Sequence, residues 1–292
     1  MTRRYAGYCL LRWISRWCPP ALTSWMADRL ADGQWRCSAV DREAVEQNVA
    51  LVLGASNPAI PLVTRSIFRN FARYLVDFFA LERGAAFQIE VSGAEHLRAA
   101  LAKGRGAIAL TAHAGNWELA GVAVRRLGFP ITAVALSHDD PRVNHLFNQL
   151  RARGGVRVIP LGASGAWRES LAVLRRGEVL GLLGDRDFTG HSLQAPLLGA
   201  ATMIPKGPPM LSLRSGAPLV PIFLIREAPW AFRLHVEPPI WPSANMPPRE
   251  AIRLLTRAYL GVFETYLSRW PDQWLVFQRI ANNGFRPSTS PR

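Results

Sequence analysis

The sequence predicts an α/β fold: a central, mostly parallel sheet flanked by helices, preceded by a helical N-terminal region. Three observations carry this. From residue 87 onward, apolar runs of strand length recur. Helix-length stretches separate most of the early runs, which implies βαβ units. Residues 1–82 carry helical patterning instead, and no stretch is long enough to be a linker between two domains.

In the first region, Pro19-Pro20 breaks the opening helix. Asp41 and Glu43, followed by Val45, Val49 and Val52, read as a helix start with acids in its first turn, and Gly54 as its C-cap. Ile60 to Phe79 is a further, Phe-rich helix. The predicted strands are Phe87–Val91, Ala107–Leu110, Ile131–Leu136, Val156–Ile159, Val179–Leu183, Leu219–Ile225 and Ala231–Val236. Helices are expected over Ala94–Lys103, Glu118–Leu127, Arg142–Arg153 and Ala166–Arg176. The last two strands are close enough to form a hairpin. A long helix, Pro248–Trp270, follows a Pro-rich loop. The expected division is 1–82 as a helical membrane-associating region, 83–282 as the α/β domain and 283–292 as a flexible tail.

The chain has 292 residues and a formal net charge of +14, with nearly half its residues hydrophobic. That apolar content excludes a disordered basic arm or a collagenous segment. Only Lys103 and Lys206 are lysine, so 33 of the 35 basic residues are arginine. Guanidinium pairs with phosphate in a two-pronged fork, so the excess fits an anion-binding surface as well as a compositional bias. Charge alone leaves nucleic acid, anionic lipid and acidic protein open as partners. Cys9, Cys18 and Cys37 are odd in number and match no metal spacing. Reduced, cytosol-facing thiols are the expectation.

No uncharged apolar run reaches 18 residues, so no membrane span is predicted. Arg12 and Arg16 interrupt the first apolar run, against a cleaved signal peptide. Residues 1–27 hold four arginines, no acid, and Tyr5, Tyr8, Trp13, Trp17 and Trp25. Arginine with aromatics on a short amphipathic helix suits the plane of a membrane interface. The alternative is a helix that packs its Trp face on the domain.

The chemistry concentrates at Ala107–Gly121, where an apolar strand runs into His113, then Gly115-Asn116-Trp117, then a helix holding Glu118. In open parallel sheets, sites form at the carboxyl ends of strands. A neutral imidazole there can take a proton from a hydroxyl near pH 7. It needs a partner, and Glu118 in the first helical turn is the nearest candidate. First-turn N–H groups offer an oxyanion site. The competing reading is a structural His at a strand end and a Glu on a solvated helix face. Asp185 and Asp187, with Glu118 and His113, are also conceivable Mg²⁺ ligands, but no dense carboxylate cluster supports a metal. His96, His138, His145, His191 and His235 lack a partner pattern, and His138, His145 and His191 are expected to face solvent or bond locally. Nine arginines against three acids between Leu119 and Gly177 would attract an acidic carrier, coenzyme A phosphates or lipid headgroups if they share a face.

His113-x4-Glu118 after an apolar strand resembles the glycerolipid acyltransferase superfamily. It is most similar to the branch of bacterial lipid A late acyltransferases and phosphatidylinositol mannoside acyltransferases. Further blocks match in order: Gly184-Asp185-Arg186-Asp187, Leu198–Thr202 with Pro205-Lys206-Gly207-Pro208, Ser215–Pro221, and Pro271-Asp272-Gln273-Trp274. Asn48, after Arg42 and Val45, also fits. The resemblance spans about residues 5–280. Leu197-Leu198 replaces the usual Phe-Phe, and Asp272 replaces a Glu. The Arg that lipid A enzymes carry after the next strand has Arg142 or Arg151 as counterparts.

The resemblance implies an acyltransferase that moves a fatty acyl group from an acyl carrier protein or coenzyme A thioester to a hydroxyl of a lipid or glycolipid. Lipid A-type late acylation is the first expectation. His113 and Glu118 are the expected catalytic pair. Asn116, Arg142, Arg151, Asp185, Asp187 and Lys206 are the expected substrate contacts. Neither a metal nor a cofactor is expected, and the expected partners are the two substrates and an anionic membrane surface, without nucleic acid. The implied location is the cytoplasmic face of the bacterial inner membrane. Two other classes stay open on the residues alone: a non-catalytic nucleic-acid binder and a metal phosphohydrolase.

Overall fold

The computed structural model of the chain describes residues 3–243 and 245–280. The expected 283–292 tail lies outside the described residues. Four helices come first: α1 (Arg3–Trp17), α2 (Pro20–Cys37), α3 (Ala39–Leu53) and α4 (Ile60–Ala80). The Pro19-Pro20 pair separates α1 from α2. Pro20 opens α2 at a position where no N–H partner is needed. α3 starts two residues before Asp41, whose carboxylate receives a 2.7 Å hydrogen bond from Ser38 Oγ. Gly54, at φ +89°, ends it.

α4 buries Phe68, Phe78 and Phe79. Its polar flank faces α2: Arg65 and Arg69 each donate two hydrogen bonds to Asp32 at 2.7–2.9 Å. Arg73 donates two to Asp28, at 2.8 and 2.6 Å. The hydrogen bonds from Arg65 and then Arg69 hold the Asp32 carboxyl far below the usual carboxylate range.

After a single 3-10 turn at Leu81–Arg83, the chain alternates. The order is β1 (Gln88–Ser92), α5 (Ala94–Leu101), β2 (Ala107–Thr111), α6 (Trp117–Arg126), β3 (Ile131–Ala135), α7 (Pro141–Arg153), β4 (Val156–Pro160), α8 (Ala166–Arg175) and β5 (Val179–Leu183). Then come β6 (Ser192–Leu197), β7 (Ala200–Pro205), α9 (Gly207–Ser215), β8 (Leu219–Ala228), β9 (Ala231–Val236) and α10 (Pro248–Arg269). Seven strands form one sheet in the order β1-β9-β8-β2-β5-β3-β4. Only β8–β9 pairs antiparallel, as the expected hairpin. All seven predicted strands are present.

β6 and β7 form a separate antiparallel pair that is not among the predicted strands. Pro196 and the alanines weaken its strand signal. Leu198 at φ +51° and Gly199 at φ +74° supply the two left-handed positions of a tight hairpin turn.

Alternate residues of β2 serve two cores, as expected of a strand covered on both faces. Ile108 and Leu110 pack in a cluster with Phe223, Tyr259 and Phe263. Ala107 and Ala109 pack in a second with Leu119 and Val122. A third cluster joins α2, α3 and α4 to Leu146 and Phe147 of α7. Among the described residues no helix is long and apolar enough to cross a membrane.

The sheet's geometry makes the glycine of the turn after β2 critical. Gly115, in the turn between β2 and α6, has φ +65°. A Cβ there would lie 2.1 Å from the carbonyl oxygen of Leu224 on β8. Gly115→Ala should cost about 2 kcal/mol or more, because neither the backbone conformation nor the β8 backbone can yield. Urea unfolding of the purified variant checks this. An unchanged midpoint would contradict so close an approach.

Candidate active site

The site forms where two neighbouring parallel strands end. Thr111 of β2 pairs with Leu183 of β5. Two residues beyond each lie His113 and Asp185, at the same height. His113 Nδ1 sits 2.8 Å from Asp185 Oδ1, and the backbone N–H of His113 donates to Oδ2 at 3.0 Å. Trp274 Nε1 donates to the same Oδ2 at 3.2 Å. Asp185 is fully buried. Burial pushes its pKa up, but the charge and hydrogen bonds of His113 and the Trp274 bond outweigh this and hold it below the usual carboxylate range. An ionised carboxylate only accepts, so the neutral ring must carry its proton on Nδ1. Nε2 then presents a lone pair, the arrangement of a general base with its orienting acid.

This corrects the sequence reading on two points. Glu118 does not hold His113. It lies in the first turn of α6 and accepts two bonds from Arg151 of α7, at 2.9 and 2.5 Å. Burial lowers the Arg151 pKa, but the charge and hydrogen bonds of Glu118 more than reverse this, so the guanidinium stays charged. Asp185, expected to touch substrate, stands instead behind the histidine with no exposed surface.

The turn between β2 and α6 is fastened from two sides. Gly115 N–H donates to the Gln273 carbonyl at 2.9 Å, and Asn116 N–H to the Leu224 carbonyl at 2.9 Å. Leu275 N–H returns a 2.7 Å bond to the His113 carbonyl. Asn116 is buried and caps α6, its Oδ1 accepting from Leu119 N–H at 3.1 Å. It is a structural cap rather than the expected substrate contact. Among the described residues no acceptor meets the N–H groups of Trp117 and Glu118. These first-turn amides remain for an anion or oxyanion. Trp117 meets the His113 ring edge-on at 5.2 Å and stacks on Tyr74 at 4.3 Å. Phe188, well exposed, approaches the same ring at 6.0 Å.

Comparison with known proteins fits this geometry. The family model described as bacterial lipid A biosynthesis acyltransferase matches residues 2–280. The chain belongs to that family. The phosphatidylinositol mannoside acyltransferase of Mycolicibacterium smegmatis is 29% identical over 246 residues, which cover 81% of this chain and 78% of the relative. The protein of the same name from Mycobacterium tuberculosis H37Rv is 29% identical over 249 residues, covering 81% and 76%. The protein is therefore an acyltransferase of lipid biosynthesis.

The acyltransferase places its other candidate residues less centrally. Arg151 is buried against Glu118 and Asn148. Asp187 accepts from the N–H and hydroxyl of Thr189 through Oδ1, while its buried Oδ2 meets no partner among the described residues. Lys206 is exposed at the start of α9. Arg142 is exposed, forked onto Asp140 and stacked over Tyr5. His138, expected at the surface or locally bonded, is partly buried with its ring 4.5 Å from Phe147. Burial and the Arg151 charge lower its pKa. With Asp185 bound to His113 and Glu118 to Arg151, the conceivable Mg²⁺ set is dispersed. Among the described residues no group of three His, Cys, Asp or Glu is placed to hold a metal ion. Trp274, Tyr74 and Phe188 escape sequence reasoning as site residues. The Pro271–Trp274 block signals its importance only through the family resemblance.

Two variants separate the roles. Asp185→Asn should lower kcat by about 10³-fold or more, since an amide can force the wrong His113 tautomer. The folded-state pKa of Asp185 lies below its unfolded value of about 4. Its ionised form therefore stabilises the fold at neutral pH, and that contribution is lost as pH falls through the lowered value. Stability should fall less steeply with acid in Asp185→Asn than in the wild type, as followed by urea midpoints at successive pH values. Glu118→Gln strands a buried guanidinium and should cost about 3 kcal/mol of stability. Equal unfolding midpoints for Glu118→Gln and the wild type would exclude that role.

Proposed function

We propose that this acyltransferase moves a fatty acyl group from a thioester, on acyl carrier protein or coenzyme A, to a sugar hydroxyl of a glycolipid at a membrane. The carrying observation is the 2.8 Å bond between His113 and a buried, ionised Asp185. His113 Nε2 takes the proton from the acceptor hydroxyl as its oxygen attacks the thioester carbonyl. The new C–O bond forms, the C–S bond breaks, and the departing thiolate takes the proton back from the imidazolium. Asp185 fixes the ring and stabilises its positive charge. The free amides of Trp117 and Glu118 support the oxyanion of the tetrahedral intermediate. Every group in this scheme comes from the chain or its substrates, and the scheme calls for no metal or cofactor.

The acceptor class draws on two names. The family is described by lipid A biosynthesis, and the curated relatives by phosphatidylinositol mannoside. Both point to a glycolipid, and lipid A-type acylation remains the first candidate. Membrane association draws on α1 and α2. Trp13, Trp17 and Trp25 are 56%, 66% and 59% exposed, so they do not form the packed Trp face of the alternative reading. Exposed tryptophans beside arginines suit the cytoplasmic face of an inner membrane.

The test is acyl transfer by the purified enzyme from acyl carrier protein and coenzyme A thioesters, with lipid mass spectrometry of a deletion strain beside its complement. His113→Ala should lower kcat by about 10³-fold or more. The deletion strain should lose one acyl chain from one glycolipid. Chelator should leave the rate unchanged. Wild-type turnover in His113→Ala would sink the mechanism.

A further inference from the structure

Arg142, expected in the substrate site, lines a different feature. A cavity of about 310 Å³ opens between α1 and α7, bounded by Tyr5, Arg12, Arg142, His145 and Gln149. A second hollow of about 320 Å³ continues from it along α1, sharing Arg12 and adding Arg16, Trp13 and Trp17.

The helix explains how these residues meet. At 100° per residue, positions 5, 9, 12 and 16 form one stripe of α1. Positions 10, 13 and 17 form the neighbouring stripe. The first carries Tyr5, Cys9, Arg12 and Arg16. The second carries Leu10, Trp13 and Trp17, all exposed. The opposite side, with Ile14 and Ser15, is buried. α1 therefore shows solvent an apolar stripe flanked by a basic one, and the cavity opens on the basic flank.

The arginines there keep donors free. Arg12 spends two N–H groups on Glu82, at 2.7 and 2.5 Å, and Arg142 spends its fork on Asp140. A guanidinium has five N–H donors. Among the described residues Arg16 has no ion pair, its guanidinium lying 5.3 Å from the Trp17 ring. Three guanidiniums thus line two adjoining hollows that, among the described residues, hold no carboxylate of their own, beside exposed tryptophans. Tryptophan settles at headgroup depth in a bilayer, which is where phosphates lie.

We propose that the cavity between α1 and α7 binds the phosphate of an anionic phospholipid headgroup, seating the N-terminal helices in the bilayer. This rests on the reading that the enzyme works at a membrane, and names the lipid chemistry and the residues. The concave shape admits a headgroup, while an acidic protein would need a broader convex match. Trp13 and Trp17 enter the interface, Arg142 and Arg12 hold the phosphate from the flank, and Arg16 stands beside them along α1.

The test is flotation of the full chain with vesicles of phosphatidylcholine, with and without phosphatidylglycerol. Arg142→Gln should weaken binding to the phosphatidylglycerol vesicles by about 10-fold or more and leave binding to phosphatidylcholine alone unchanged. Arg36→Gln, the same charge change on exposed α2 outside the cavity, should weaken it by about 5-fold at most, the generic effect of one surface cation. Arg142→Lys keeps the charge but loses the fork, and should remain impaired. Trp13→Ala should weaken binding to both vesicles. His113→Ala should bind as wild type does, so failure of the catalytic reading leaves this result intact. Equal losses for Arg142→Gln and Arg36→Gln, or full rescue by Arg142→Lys, would overturn the headgroup site. Weakened binding of acyl carrier protein with vesicle binding unaffected would overturn it too.

Discussion

One buried carboxylate, Asp185, decides how the rest of the site is arranged. An isolated charge in a protein interior is costly enough to be neutralised or expelled. Asp185 stays ionised because three donors reach it: the ring and backbone N–H of His113, and the indole of Trp274. Those donors come from the ends of β2 and α10. The carboxylate itself follows β5. Moving any of these segments would leave a buried charge short of a partner. The C-terminal turn is consequently part of the catalytic frame. Its Gln273 carbonyl also fixes Gly115, and its Leu275 N–H fixes the His113 carbonyl.

His113 is legible in the sequence because its signal is local. An apolar strand, a histidine and a glycine turn are contiguous, and the carboxyl end of a parallel strand is where chemistry gathers. Its partner is not legible in the same way. Asp185 lies 72 residues on. It becomes a neighbour only because β5 pairs with β2 in register. Strand existence follows from composition and spacing, whereas strand order depends on how whole layers stack. Sequence proximity favours Glu118 instead, and it fails because the first turn of α6 aims that side chain at α7. Asn116 shows a related ambiguity. Asn beside a helix start reads equally as a cap or a ligand, and only its burial against Leu119 N–H decides.

The arginine excess divides by environment. Arg65, Arg69 and Arg73 serve α2–α4 packing, each forking onto an aspartate. Arg151 serves the α6–α7 contact in the same manner. A lysine would supply charge at these places without the planar two-point match, which gives the composition a structural reason beyond anion binding. Other arginines keep spare donors, and those of the α1–α7 cavity adjoin the exposed tryptophans. The nine arginines between Leu119 and Gly177 do not act as one set. Arg151 faces Glu118, Arg142 faces α1, and Arg157 and Arg176 pair with Glu178.

α7 links the two places where anions matter. Arg142 stands at its beginning, over Tyr5 of α1, and Arg151 stands near its end, forked onto Glu118. Nine residues of α-helix separate them, about 14 Å along the axis. A phosphate held at the first position would set the bilayer surface at a short, fixed distance from the second, and so from the amides beside His113. Helix–helix packing makes that spacing stiff, since Phe147 between them is wedged among Tyr8, Phe78 and Phe79. An enzyme whose acceptor is anchored in a membrane has to meet a hydroxyl at a defined height above the lipid phosphates. On the proposed membrane reading, a rigid helix with an arginine at each end would provide that height by geometry, without a moving part.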